Sequence, residues 1–240
     1  MILSGHQHNY LPWFGFFEKL IVADVFVIDD TSQYEKKSFM NRNKIKTSQG
    51  SQWLTVPIKS KNSIKKSNNE IYIDYSKNWI QKHKKALKVN YGKSPYFHYF
   101  HSDLCEILDK NHKTLLSLNW DLINYISNIL EIDTKILFSS NMSCQKYKKS
   151  DFVLEMCKEC GVNTYFSGQL GADYLIEDDF EKNNINIIYQ RKKEIVYNQQ
   201  YDSFIPNLSI IDILFNCGIS ETKHLLRSNA NEYLGSSSTP

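Results

Sequence analysis

The sequence is poor in the residues that mark a chain as something other than a folded globule. It has five prolines and nine glycines in 240 residues. That is too few for a collagen-like, linker-rich or disordered polypeptide. Five cysteines, a small and odd number, imply no disulfide framework. No apolar run nears the ~20 residues that a membrane-spanning helix needs. The start, MILSGHQHNYLPW, lacks a basic segment followed by an apolar one, so no secretory signal is expected. A reduced, cytoplasmic chain is the simplest expectation. Neither sign of charge dominates: 29 Lys and Arg against 26 Asp and Glu leave a net +3. That permits an anionic ligand without demanding nucleic acid. The 41% of hydrophobic residues suffices for one large domain, or one domain with a sizeable insertion.

Hydrophobic spacing orders the rest. Residues 1–6 read as a short strand. Pro12 suits a first helical turn, and Trp13, Phe16, Phe17 and Leu20 share one helix face. The run Asp24-Val-Phe-Val-Ile-Asp-Asp30 fits a strand buried on both faces. Strand, helix and strand within about 30 residues make a βαβ unit. The segment 31–50 reads as a loop or hairpin ending at Gly50. A strand from Trp53 to Ile58, a basic loop over 59–69 and a short strand over 70–73 follow. Three helices are expected over 77–90, 95–110 and 112–131, the first capped by Ser76. Then come a strand at 135–138, a helix at 150–160, and a strand at 162–166. A short helix at 172–181, a strand at 185–189 and a last helix from Asn207 to about 217 complete the order.

Strands alternating with helices predict an α/β fold with a mainly parallel, Rossmann-like sheet flanked by helices. Residues 77–131 form a helical insertion or subdomain beside it. A single α/β domain over 1–228 and a frayed tail over 229–240 are expected.

Five constellations invite chemistry. In an open parallel sheet, ligands bind beyond the carboxyl ends of the strands. The cluster from His6 to Trp13 therefore reads either as a ligand site or as a polar turn with a core histidine. Asp29-Asp30, with Gln33, Asn41, Arg42 and Lys44 downstream, offers carboxylates for a cation, a base or an amine. Its two basic residues suit a phosphate or carboxylate. The competing reading is a turn cap beside a solvated basic surface. The turn Ser167-Gly168-Gln169-Leu170-Gly171, leading to Tyr174, offers backbone donors to an anion. Cys157 and Cys160 fall at helix-face spacing and read as apolar packing rather than a zinc site. Asp212 interrupts an apolar helix near Tyr197 and Tyr201 and needs a buried partner.

The stretch HQHNYLPWFGFFEKL resembles the opening motif of the WbqC-like family. The resemblance continues through ADVFVIDDTSQYEKKSFMNRNKIKT, GSQWLTVPI, YFSGQLGADYL and YDSFIPNLSIIDILFNCG. His8 stands where that family typically has proline. The family is associated with gene clusters for bacterial surface polysaccharides such as O-antigen, lipopolysaccharide and capsule. Some of those clusters make amino sugars with an aminoacyl group on nitrogen. The resemblance thus implies a transferase that acylates, for example with glycyl, the amine of a nucleotide-linked amino sugar. An aminoacyl-tRNA or an acyl-adenylate would be the donor, with tRNA a partner in the first case. The N-terminal segment also resembles, more faintly, the pantothenate-synthetase and nucleotidyltransferase group. Trp13 and Phe16 occupy the positions of that group's His-x-Gly-His imidazoles, which argues against ATP chemistry there.

On this reading His6 is the base, since a free imidazole titrates near neutrality. Asp29 or Asp30 would orient it or bind the amine. Gln7, Asn9 and Tyr10 would hydrogen-bond sugar or acyl carbonyl. Arg42 and Lys44 would hold the diphosphate. Trp13, Gln33, Asn41, Ser167, Gly168, Gly171, Tyr174 and Tyr201 complete the expected substrate contacts, and no metal is expected. The rivals are a non-catalytic module binding a nucleotide sugar or RNA, and a glycosyltransferase, which would want a clearer carboxylate metal site.

Overall fold

The computed structural model describes residues 1–59 and 63–235. Part of the basic loop over 59–69, and the SSSTP end, lie outside those residues. Five parallel strands form the main sheet: β1 (Ile2–Gln7), β2 (Val25–Asp29), β5 (Lys135–Phe138), β6 (Thr164–Ser167) and β7 (Asn186–Tyr189). Their order is β5-β2-β1-β6-β7. β1 is central, pairing Leu3 with Val25 on one side and Ile2 with Thr164 on the other. β2 has four buried residues in succession. Phe26 and Ile28 join one apolar core and Val25 and Val27 another. Alternate side chains of one strand therefore feed both faces of the sheet.

On the first face lie α1 (Phe14–Val22) and α7 (Ile210–Leu234), which pack on each other. On the second lie α5 (Lys149–Glu159) and α6 (Glu177–Glu181). Cys157 is buried in that second core and Cys160 packs against it, as the helix-face spacing predicts.

Between β2 and β5 the chain departs from the sheet. It first makes an antiparallel hairpin, β3 (Arg42–Thr47) and β4 (Gly50–Thr55). Gly50 sits at the turn with φ +113°, a conformation that favours glycine. Then come α2 (Trp79–Tyr91), α3 (Phe97–Asp109) and α4 (Leu115–Ile129). α4 is capped by Thr114, whose hydroxyl accepts from the Ser117 N–H at 3.2 Å. Leu115, Leu118, Leu122 and Ile126 of α4 are fully buried in the larger core.

Several boundaries differ from expectation: the strand expected over Trp53–Ile58 runs Gly50–Thr55, residues 70–73 make isolated bridges rather than a strand, and the helix expected over 172–181 is confined to Glu177–Glu181. α1 begins at Phe14 after a Trp13 cap, because Leu11 takes φ +44° and turns the chain before the helix starts. α7 does not end near residue 217. It kinks at Gly218 (φ +77°) and runs on to Leu234. Asn229, Ala230 and Tyr233 are buried, and the Tyr233 ring lies 4.7 Å from Phe166. The frayed tail expected from 229 is therefore ordered helix to residue 234. Glycine reads as a helix stop, whereas here it bends the helix against Tyr96.

Candidate active site at the strand reversal

The strand order reverses at β1. From there the chain goes to β2 and β5 on one side and later to β6 and β7 on the other. In such sheets a crevice opens between the carboxyl ends of the two strands flanking the reversal. Here those ends are His6-Gln7 of β1 and Ser167-Gly168 after β6. Gln7 also pairs in register with Asp29 of β2.

The floor of this region holds a lysine. Lys19, on α1, is 3% exposed. Helical side chains lean toward the helix N-terminus, and the Lys19 stem reaches back until Nζ donates to the Gly5 carbonyl at 2.5 Å. A Cβ on Gly168 would lie 3.9 Å from that Nζ. Lys19 has no carboxylate partner among the described residues. Burial lowers its pKa from 10.5 to about 7, because a desolvated ammonium is disfavoured. Amine and ammonium thus coexist at neutral pH.

His6 adjoins it. Its ring stands edge-on to Trp13 at 5.4 Å and Phe16 at 5.5 Å. Nδ1 lies 2.9 Å from the Gln7 carbonyl, and the Asn9 amide reaches Nδ1 at 3.5 Å. Burial, then the Lys19 charge, push its pKa down to about 3. The imidazole is neutral across the physiological range. Its conjugate acid is too strong to hold a proton taken from an ammonium. The base role expected for His6 therefore does not fit, and the titrating group of the site is Lys19.

Asp29 and Asp30 are engaged elsewhere. Asp29 accepts from the Thr31 and Ser32 N–H groups at 3.2 and 3.0 Å, and from the Ser32 hydroxyl. Asp30 is buried and accepts from the Ser139 hydroxyl at 2.9 Å, the Ser140 N–H at 2.8 Å and its hydroxyl at 2.7 Å. The pair staples the end of β2 to the turn after β5. Asp30 is a cap, as the competing reading of that motif has it, and does not orient His6. Asp29 remains close enough to act, second to burial, in raising the pKa of the half-exposed Tyr174.

Several expected contacts are corrected in the same way. Tyr10 is fully buried and its hydroxyl meets His83 Nδ1 at 2.9 Å. Asn41 donates to the Val56 carbonyl at 2.8 Å and accepts from Tyr34. Ser167 is buried and donates to the Gly168 carbonyl at 3.0 Å. Gly171 is fixed by that hydroxyl, since a Cβ there would lie 1.9 Å from Ser167 Oγ. Tyr201 belongs to a separate cluster: its hydroxyl reaches the Asn90 carbonyl and its own carbonyl lies 3.5 Å from Lys46 Nζ. In that cluster the fully buried Asp212 accepts from Tyr91 at 2.6 Å and Tyr197 at 2.8 Å. This satisfies its carboxylate structurally. Gln33 is exposed and bridges Ser67. His8 is core, held by the Asn119 amide at 2.9 Å.

Arg42 and Lys44 lie on the hairpin, with their charges over the Trp53 indole at 4.1 and 5.0 Å. Phe39 connects this group to Trp13, at 5.6 Å from Trp53 and 5.8 Å from Trp13. A small cleft adjoins the start of α1 between Trp13, Glu18, Gln190, Arg191, Lys193 and Asn229. Gln190 donates to the Gly15 carbonyl at 2.9 Å and to Glu18, whose pKa burial raises.

Lys19, Glu18, Phe39, Trp53 and Gln190 belong to the candidate site, and the sequence reading misses them. For the first two a signal exists. Glu18-Lys19 is a charged pair with apolar residues on both sides, in a helix buried around most of its circumference. Among the described residues, no group of three His, Cys, Asp or Glu side chains is placed to hold a metal. None of their helices is long and apolar enough to cross a membrane.

Comparison with known proteins bears on this geometry. An uncharacterized protein of Mycobacterium tuberculosis (strain ATCC 25618 / H37Rv) is 34% identical over 223 residues, covering 91% of this chain and 95% of that protein. No solved structure matches. The model of the WbqC-like protein family matches residues 7–224, a span that takes in the end of β1, Lys19, the hairpin and the Ser167–Gly171 turn. The chain belongs to the WbqC-like protein family.

Proposed function

We propose that the chain is a transferase that acylates the amine of a nucleotide-linked amino sugar, with its centre at the β1 and β6 strand ends. The observation that supports this reading best is Lys19. It is a buried amine without a carboxylate partner, beside Gly168, at the point where such sheets bind ligands.

Amide formation needs the sugar nitrogen as a free amine. The neutral Lys19 amine takes a proton from the sugar ammonium, which suits a base titrating near pH 7. The sugar nitrogen attacks the acyl carbonyl carbon and a C–N bond forms. The bond from that carbon to the donor's ester or phosphate oxygen breaks. The Lys19 ammonium returns its proton to the leaving oxygen, and the regenerated amine then takes the second proton from the new amide nitrogen and passes it to solvent. His6 and Gln7 line the end of β1, where a neutral imidazole and an amide serve as hydrogen-bonding groups. The donor is an activated acyl group, an aminoacyl-tRNA or an acyl-adenylate. The product belongs to the assembly of surface polysaccharide. Metal-dependent glycosyl transfer has less support, since hydroxyl and amide donors already occupy the Asp29 and Asp30 carboxylates.

The test is an incubation of purified protein with nucleotide-linked amino sugars and each donor class, read by mass spectrometry for the amide. The hydroxy counterparts serve as controls. Turnover is expected with an amino sugar only, falling ~10²–10⁴-fold in Lys19→Met. Undiminished turnover in a folded Lys19→Met protein, or no amide with any donor, would overturn the reading.

A further inference from the structure

The hairpin carries a second surface. Lys44 pairs directly with Trp53, and Arg42 with Thr55, so Arg42, Lys44 and Trp53 share one face. Trp53 is 37% exposed and Phe39 is 42% exposed. Neither Arg42 nor Lys44 takes part in an ion pair among the described residues. Arg42 spends one guanidinium nitrogen on the Lys37 carbonyl, and its Nε has no partner. The rings form a series: Trp53 to Phe39 at 5.6 Å, Phe39 to Trp13 at 5.8 Å, and Trp13 to His6 at 5.4 Å. The series leads from the outer hairpin to the end of β1.

Two exposed aromatic rings side by side do not serve solubility. Two cations over the Trp53 ring, with no carboxylate partner among the described residues, do not serve an apolar partner. A neutral sugar uses the rings and leaves the charges unmatched. An acidic peptide uses the charges and leaves the exposed Phe39 ring unmatched. A nucleobase with its phosphate uses both, by stacking on Phe39, the exposed ring of the pair that carries no cation among the described residues, and by pairing with the arginine and lysine that lie over Trp53.

We propose that the hairpin face formed by Phe39, Arg42, Lys44 and Trp53 binds a nucleobase together with its attached phosphate. The unit comes either from a free nucleotide or from an unpaired end of RNA. This binding is independent of the acyl transfer at Lys19.

Calorimetric titration with uridine diphosphate, inorganic pyrophosphate and a short single-stranded oligoribonucleotide tests it. Uridine diphosphate or the oligonucleotide is expected to bind at least ten-fold more tightly than pyrophosphate. Trp53→Ala and, separately, Phe39→Ala are each expected to weaken that binding about ten-fold, within the range for loss of one stacking ring. Circular dichroism checks that each variant is folded. Arg42→Gln with Lys44→Gln should flatten the dependence of affinity on salt. Tighter binding of the mononucleotide identifies a free nucleotide as the ligand, and tighter, more salt-sensitive binding of the oligonucleotide identifies RNA. Equal affinity for pyrophosphate, no binding of either base-bearing probe, or unchanged affinity in both folded ring variants would overturn the proposal. Lys19→Met should leave this binding intact, so its failure and failure of the transfer reaction are read separately.

Discussion

Replacing Lys19 by methionine isolates the energetic consequence of burying an amine. The two side chains have similar length, so the core space stays filled. The unfolded chain holds the lysine proton up to its ordinary pKa of 10.5, whereas the folded chain releases it near 7. Between those values the unfolded state binds more protons, so wild-type stability rises with pH across that window. Below about pH 7 the whole penalty applies. At ~1.4 kcal/mol per pH unit over the gap between 10.5 and 7, it amounts to about 5 kcal/mol. At pH 9 the remaining gap to 10.5 leaves about 2 kcal/mol. The methionine variant escapes the penalty but strips the Gly5 carbonyl of its donor, which carries ~1–3 kcal/mol at every pH. Lys19→Met is therefore expected to be more stable than wild type by ~2–4 kcal/mol at pH 6. The advantage should shrink by about 3 kcal/mol on going to pH 9. Urea unfolding of both proteins at pH 6, 7.5 and 9 measures the difference. A difference that stays constant over this range would mean that the folded amine titrates like a free lysine. The base role would fall with it. A variant that gains stability while losing turnover is the pattern expected where a strained group serves chemistry.

Two further outcomes follow from the packing. Gly171→Ala should destabilise the fold by ~1–3 kcal/mol, since its Cβ would meet the Ser167 hydroxyl at 1.9 Å. Ser167→Gly in the same chain should recover much of that loss in urea unfolding, and no recovery would mean that the clash lies elsewhere. Tyr10→Phe should lower stability by ~1 kcal/mol through the hydrogen bond lost to His83. It should leave nucleotide affinity unchanged, and a selective loss of affinity would return Tyr10 to the binding site.

The elements that the sequence reading places well are those whose signal is local. β2 is an unbroken apolar run because both faces of the sheet are covered. The three helices after the hairpin keep a regular apolar stripe. The sites it misplaces are those decided by distant partners. Tyr10 sits among polar residues at a strand end, yet its hydroxyl is satisfied 73 residues away. Asn41 looks like a loop amide free for a ligand, but it closes a bond to the strand end at Val56. Lys19 is not singled out by the sequence reading, although its place in an apolar helix hints at burial. Only the packing of α1 between the sheet and α7 removes it from water. The second half of α7 is hidden for a different reason, since a glycine with positive φ commonly ends a helix and here bends one.

The position of β1 has a consequence for how the protein comes into being. β1, which precedes the other strands of this sheet in the chain, is its middle strand. Its neighbour β2 follows within 30 residues, but Ile2 pairs on its other side with Thr164, a residue 162 positions later. At the usual pace of about 5–20 residues per second, a ribosome needs on the order of ten to thirty seconds to supply that partner. Throughout that interval one edge of β1 presents unpaired N–H and C=O groups, the condition that invites strands from other chains. The nascent chain must be shielded while it waits, and the hairpin and helices made in between are the material at hand to do so.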